Sequence, residues 1–371
     1  HGKLLQIILI LQICYIFGTY NIGHQHFLAI GQYIGLFEGF HLKLTYGIIQ
    51  LFPIWLVTHL VGLGVEYYYS ARHGHKIDKY FLLSAAIIPL IMPPDIPLWI
   101  LAIAVAFAIM ISKEAFGGTG MNILNIALLA RVFIFFAYPT EISGDEVWIA
   151  GLEKVGNSFI SQEYGFVYGF LDSIFSGLGL DTFGRGGIAV VDGFSGATPL
   201  SLAFEGGWAA VTDRYTVNEM LWGTIPGSVG ETSKPIILIG AFLLILEGIA
   251  SWRIMLSMLF GAITMAILLN AWGATPIMEV PWPYHFFMGS FFFTMAFMAT
   301  DPDTAATTDL GKWIYGFLIG ITGMIIRVVN PAYPEGWMLA LLFMNVFAPL
   351  IDYYVLTSRL GWKLSREKVK I

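Results

Sequence analysis

Apolar residues fall along this chain in ten runs: Leu4–Asn21, Leu44–Tyr69, Tyr80–Pro93, Ile96–Ile111, Ile123–Tyr138, Pro235–Ala250, Arg253–Trp272, Tyr284–Thr300, Trp313–Val329 and Gly336–Leu356. About 17–25 apolar residues cross a bilayer as a helix, because lipid offers backbone N–H and C=O groups no partner. The pattern therefore predicts an all-α polytopic membrane protein of about ten transmembrane helices. Tyr80–Pro93 and Ile96–Ile111 are short and flank Met92-Pro93-Pro94-Asp95. A re-entrant pair would suit them, but a full crossing each keeps the topology consistent and is the reading adopted. With ten spans the sixth starts opposite the first, so two five-helix halves would be inverted. The expected organisation is residues 1–139 as the first half, 140–234 as a loop region, 235–356 as the second half and 357–371 as a tail.

Composition agrees. Of 371 residues 57% are hydrophobic and only 12% charged, half the charge of a soluble domain. A net charge of −6 and the lack of a basic cluster exclude a nucleic-acid partner. The single cysteine, Cys14, can form neither an internal disulfide nor an iron–sulfur site. The chain opens on His1, so a trimmed chain is expected, and no cleavable signal peptide precedes the first run. With the N-terminus in the cytoplasm, 12 Lys and Arg fall at cytoplasmic ends and 5 outside, four of those in one long loop. The positive-inside bias thus places both termini in the cytoplasm.

That long loop, Thr140 to Pro235, is too long to lack structure. Its apolar patch at Phe166–Leu171 is expected to pack on the outer face. It also carries Asp192-Gly193-Phe194-Ser195-Gly196-Ala197-Thr198-Pro199. Glycines free the backbone there, and Ser195 and Thr198 present hydroxyls that suit a covalent attachment point or an ordinary surface turn.

Other stretches also carry chemistry. Gly117-Gly118-Thr119-Gly120 precedes Asn122 and Asn125, which at a spacing of three would share a helix face. Their carboxamides suit a flavin ring as well as plain helix packing. Asp301-Pro302 ends the eighth run, where an acid beside freed carbonyls suits a cation or a helix cap. Glu66, in Gly62-Leu63-Gly64-Val65-Glu66, and Asp352 are acids within apolar helices. Arg327 needs an anionic partner inside the membrane, either a phosphate at Thr198 or Glu335. Ile225-Pro226-Gly227-Ser228 is glycine-rich enough for backbone amides to approach a phosphate. No nucleotide fingerprint follows a strand.

The segment ending in Thr198 resembles the site at which FMN is esterified to threonine in the Nqr and Rnf redox pumps. Phe116–Gly120, Phe135–Pro139, Ile142–Asp145, Ile225–Ser228, Ile249–Arg253, Met298–Pro302 and Arg327–Gly336 are similar to the NqrB/RnfD family, which includes the NqrB component of the sodium-translocating NADH:quinone oxidoreductase. The resemblance implies covalent FMN on Thr198, with Asp192, Ser195, Gly196 and Arg327 around it. It implies noncovalent riboflavin near Asn122 and Asn125. Gly62 and Glu66 match a helix implicated in quinone reduction and ion uptake. Asp301, Asp352 and Glu66 match acids implicated in handling Na⁺. The other Nqr components (NqrA, NqrC, NqrD, NqrE and NqrF), a quinone, Na⁺ and lipid are the implied partners. Ile126 departs from a proline in the family's pattern, Leu63 from a glycine, and 151–187 resembles an insertion. A ferredoxin:NAD⁺ pump component of the RnfD type and a non-redox inverted-repeat transporter are the competing readings.

Overall fold

The computed structural model describes the chain except residues 1, 75–79, 119–121, 143–147, 156–157, 163–164, 181–187, 189, 192–195, 331–334 and 369–371. Among the described residues six helices are long and apolar enough to cross a membrane. They are α1 (Gly2–Ala29), α2 (Phe40–His73), α4 (Leu98–Ser112, continued by a 3-10 turn to Phe116), α10 (Trp252–Trp272), α12 (Asp309–Val329) and α13 (Trp337–Lys368). Interleaved with them are α3 (Phe81–Ile91), α5 (Ile126–Ala137), α9 (Lys234–Leu246) and a broken segment. The broken segment runs through a 3-10 turn at Trp282–Phe286, the short α11 (Phe291–Phe293) and a π-helical turn at Thr294–Met298. The long connection carries a β-hairpin, β1 (Leu152–Val155) and β2 (Ser158–Ser161), then α6 (Phe166–Gly177), α7 (Pro199–Arg214) and α8 (Val217–Trp222).

All ten apolar runs therefore hold helical structure, but four are too short for the membrane. At 1.5 Å per residue α3 spans about 16 Å, α5 about 18 Å and α9 about 20 Å, against a hydrocarbon core of about 30 Å. This corrects the expectation that Tyr80–Pro93 makes a full crossing: Pro93 and Pro94 cannot donate, and the helix ends at Ile91. Similarly, the eighth run is not one helix, because Gly289 (φ 69°) breaks it ahead of α11. Broken helices survive at membrane depth only where protein satisfies their freed backbone groups, and the sites described below do this.

α2 packs on α1 and α4, and α4 on α5; in the second half α12 packs on α10 and α13. The α10–α12 crossing is close because Gly316 and Gly320 leave no side chain between the backbones. Across the two groups of helices α1 meets α9 and α5 meets α13. α6 packs against α2, with Tyr168 and Leu171 half-buried, but part of its apolar surface faces outward. Phe166, Phe170 and Ile174 form an exposed apolar stripe at four-residue spacing.

Candidate functional site

Two clefts open toward opposite ends of the bundle, and α5 joins them. Asn125, its N-cap, lines one; Arg131, six residues on, lines the other. Six helical residues rise about 9 Å.

The first cleft, of about 630 Å³ with its open mouth, contains Thr198. Thr198 is the N-cap of α7 and its Oγ1 accepts from the N–H of Ser201 (3.2 Å). Pro199 follows at the first helical position, where a missing N–H costs nothing. Gly196 takes φ 59°, in the left-handed region that favours glycine. The segment is tied down on both sides: the N–H of Val191 donates to Ala29 O (3.0 Å), and the Tyr215 hydroxyl to Ala197 O (2.8 Å). Asp192 and Ser195 lie outside the described residues.

Opposite Thr198 stand charges that the membrane would normally expel. Arg131 is 1% exposed. Its Nη1 donates to Ile91 O at the broken end of α3, to Ser228 Oγ (3.1 Å) and to Glu231 Oε1 (3.0 Å). The guanidinium also covers the Trp148 ring at 5.7 Å. Lys234, also buried, donates to Glu231 O (3.2 Å) and Thr232 O (2.8 Å), which uses two of its three N–H donors. The Thr232 hydroxyl is buried without a partner among the described residues. Burial pushes the Glu231 carboxyl up to about 7 despite the pull of Arg131.

A parallel clip closes the second broken helix. Arg327 Nη1 donates to His285 O (2.5 Å) and Met288 O (3.0 Å), Nη2 to Glu335 O (3.4 Å), and the guanidinium covers Trp337 at 5.1 Å. The Glu335 carboxylate accepts from the N–H (3.2 Å) and hydroxyl (2.6 Å) of Ser290, at the start of α11. Arg327 is thus held by carbonyls behind the cleft, and the cations that line the cleft are Arg131 and Lys234. With Glu231 ionised, the set Arg131, Lys234, Arg327, Glu231 and Glu335, all buried but the half-buried Glu335, carries a net charge of +1. A phosphodiester, at −1, fits both that balance and the donor set, and the site lies at the meeting of two broken helices.

The second cleft, about 390 Å³, is lined by Phe81, Ser84, Asn122, Asn125, Asp301 and Thr304 among others. Asn122 and Asn125 come together there, but not on a helix face: α5 begins only at Ile126. The Asn125 side-chain oxygen accepts from the N–H of Leu128 (3.2 Å), a cap that competes with continuing the helix N-terminally. Its Nδ2 donates to Asp301 Oδ2 (2.9 Å). Asn345 on α13 meets Asn125 N–H (3.2 Å) and the Tyr315 hydroxyl (2.7 Å). The Asn122 oxygen is buried without a partner among the described residues. The Asp301 carboxylate also takes the Thr304 hydroxyl (3.3 Å) and the N–H of Asp303 (3.2 Å). Burial, then the charge of Asp303, raises its pKa to about 6. An unpaired amide oxygen beside an amide and a carboxylate suits the polar edge of a flat heterocycle such as a flavin.

The remaining acids have different surroundings. Glu66 is 1% exposed and bonded to Lys113 at 2.6 Å, joining α2 to the end of α4. Gly62, one turn earlier, lies under the Phe81 ring. Asp352 clips the start of α12: Oδ2 accepts from Thr307 N–H and hydroxyl (both 2.7 Å), Oδ1 from Thr308 N–H (3.0 Å) and hydroxyl (2.5 Å). Sequence reading passed over the cleft roles of Arg131, Glu231 and Lys234, although an arginine inside an apolar run was a signal in itself. Among the described residues no cluster of three His, Cys, Asp or Glu suits a metal.

The sequence matches the NQR2, RnfD, RnfE family over residues 2–361. It is 40% identical over 370 residues to the B component of the Na(+)-translocating NADH-quinone reductase of Chromohalobacter salexigens, covering 95% of this chain and 80% of that protein. The proteins of the same name from Pseudomonas paraeruginosa and Klebsiella pneumoniae are each 39% identical, covering 94% and 93% of this chain and 82% and 77% of theirs. The chain belongs to the NQR2, RnfD, RnfE family.

Proposed function

We propose that the chain is the flavin-carrying membrane subunit of a respiratory Na⁺-pumping NADH:quinone oxidoreductase, in which electrons pass between two flavin sites and on to quinone, coupled to Na⁺ export. One observation carries this reading. The Thr198 hydroxyl opens on a cleft lined by Arg131, Lys234, Glu231 and Glu335 and backed by Arg327, five side chains that together leave a net +1 with both acids ionised. That is the environment a threonine-linked flavin phosphate needs and a plain surface turn does not. Arg131, Lys234 and the Thr232 hydroxyl would hold the phosphate. The N-terminus of α7 adds the favourable end of a helix dipole.

Noncovalent riboflavin belongs in the second cleft, with Asn122 and Asn125 on its polar edge and Asp301 beside them. A bound flavin supplies one- and two-electron redox chemistry; the chain supplies its position, its charge balance and the exclusion of water. With both termini in the cytoplasm, Thr198 faces the periplasm and Asp301 the cytoplasm, so the two sites divide the membrane between them. Na⁺ uptake falls to the Asp301 end, where Glu66, Asp301 and Asp352 stand. Glu66 already holds an ammonium and Asp352 holds four donors, so Asp301 is the freest of the three to exchange a partner. In membranes carrying the whole complex, Thr198→Ala should abolish Na⁺-stimulated quinone reduction by NADH while leaving the chain inserted. Undiminished turnover in that variant would refute the reading.

A further inference from the structure

We propose that Gly62 and Phe81 together set the width of the Asp301-end cleft, with Phe81 as a positioning residue for its occupant. The inference rests on the reading of that cleft as a noncovalent flavin site. Gly62 lies on the buried stripe of α2 formed by Thr58, Gly62, Glu66 and Ser70, one residue per turn. Facing it is Phe81, the first residue of α3 and 1% exposed. The ring touches α2 tip first. A methyl group built on Gly62 would overlap Cζ and stand 2.7 and 2.9 Å from Cε1 and Cε2. Carbon atoms in contact sit about 3.5–4.0 Å apart, so the ring must yield. It is enclosed on the α2 side, and the free volume beside it is the cleft it lines with Asn122, Asn125 and Asp301. Among the described residues, the ring yields into the space the flavin would fill. Glycine at position 62 is thus what keeps that space wide enough for a flat ring system, although Gly62 itself does not line the cleft.

The test uses the purified complex and riboflavin as the probe. Riboflavin released by acid is quantified by chromatography against the covalent flavin fluorescence of the same chain on a denaturing gel. Gly62→Ala should retain the covalent signal, which shows a folded and matured chain, and lose riboflavin affinity roughly tenfold or more, the effect of overpacking a filled site. Phe81→Leu, which removes the ring tip, should bind within a few-fold of the parent. Gly62→Ala/Phe81→Leu should recover most of the lost affinity. Normal riboflavin in Gly62→Ala, or a double variant as poor as Gly62→Ala, would overturn the proposal while leaving the flavin reading intact. A parent complex that releases no riboflavin would overturn both.

Discussion

Arg131→Met tests the buried charge set most sharply. The substitution keeps a long flexible side chain but strips three acceptors of their donor: Ile91 O, Ser228 Oγ and Glu231 Oε1. Stranding a buried carboxylate by removing its partner costs about 3–5 kcal/mol. Leaving the Ile91 carbonyl unsatisfied at the end of a broken helix adds about 1–3 kcal/mol. The sum is roughly 4–8 kcal/mol. Unfolding entropy of about 2.1 cal/mol/K per residue converts this, for a chain of this length, to a fall of roughly 5–10 °C in Tm. The readout is thermal unfolding in detergent followed by fluorescence-detected size exclusion. Adding Glu231→Gln removes the stranded charge, so the double variant should recover more than half of the loss. Flavin attachment should follow the same order. Arg131→Met takes the five-residue set from +1 to zero, whereas the double variant restores +1 through Lys234, Arg327 and Glu335. A Tm within about 2 °C of the parent, or a double variant no better than the single, would refute the argument.

Other expectations are equally direct. Lys113→Met removes the ammonium that Glu66 holds at 2.6 Å, and should lower Tm by an amount that Lys113→Met/Glu66→Gln largely restores, since replacing both members of a buried pair removes much of the penalty. Asp352→Ala deletes four hydrogen bonds and should cost roughly 2–4 kcal/mol; its effect on Na⁺ dependence should then be matched by Thr308→Val, which an ion-ligand role for Asp352 would not produce. Asp301 has a carboxyl pKa of about 6 in the folded chain against 3.8 for the ordinary group. The folded chain therefore binds this proton more readily than the unfolded one, and its stability relative to the unfolded chain rises as pH falls from about 6 to about 4. Asp301→Asn should flatten that part of the Tm–pH curve, and an unchanged curve would contradict the burial of the group.

The helical class was legible because lipid leaves the backbone no alternative to internal pairing. The broken helices were less so: a run such as Tyr284–Thr300 has the hydropathy of a span, and only Gly289 and the flanking prolines at 281 and 283 hint at the break. Thr198-Pro199 carries the signature of a helix start, a capping hydroxyl followed by a proline that the first helical position tolerates, although the same residues also suit a turn or an attachment point. The same logic accounts for Ile126. It occupies the first helical position after the Asn125 cap, a position where proline is also tolerated, so the helix start suits either residue. What could not be read was the partnership of Arg131 with Glu231, 100 positions away. Nor could the chain pattern show Arg327 spending its donors on carbonyls of the 285–288 turn. Such pairings join positions about 40 to 100 apart in the chain, which no local pattern encodes.

The central claim is a flavin joined to Thr198. The direct measurement is the mass of the proteolytic peptide containing Thr198, taken from cells that possess the flavin transferase, with fragmentation to locate the modified residue. The account predicts a gain equal to FMN less one water, placed on Thr198. An unmodified peptide, or the flavin on another residue, would contradict it.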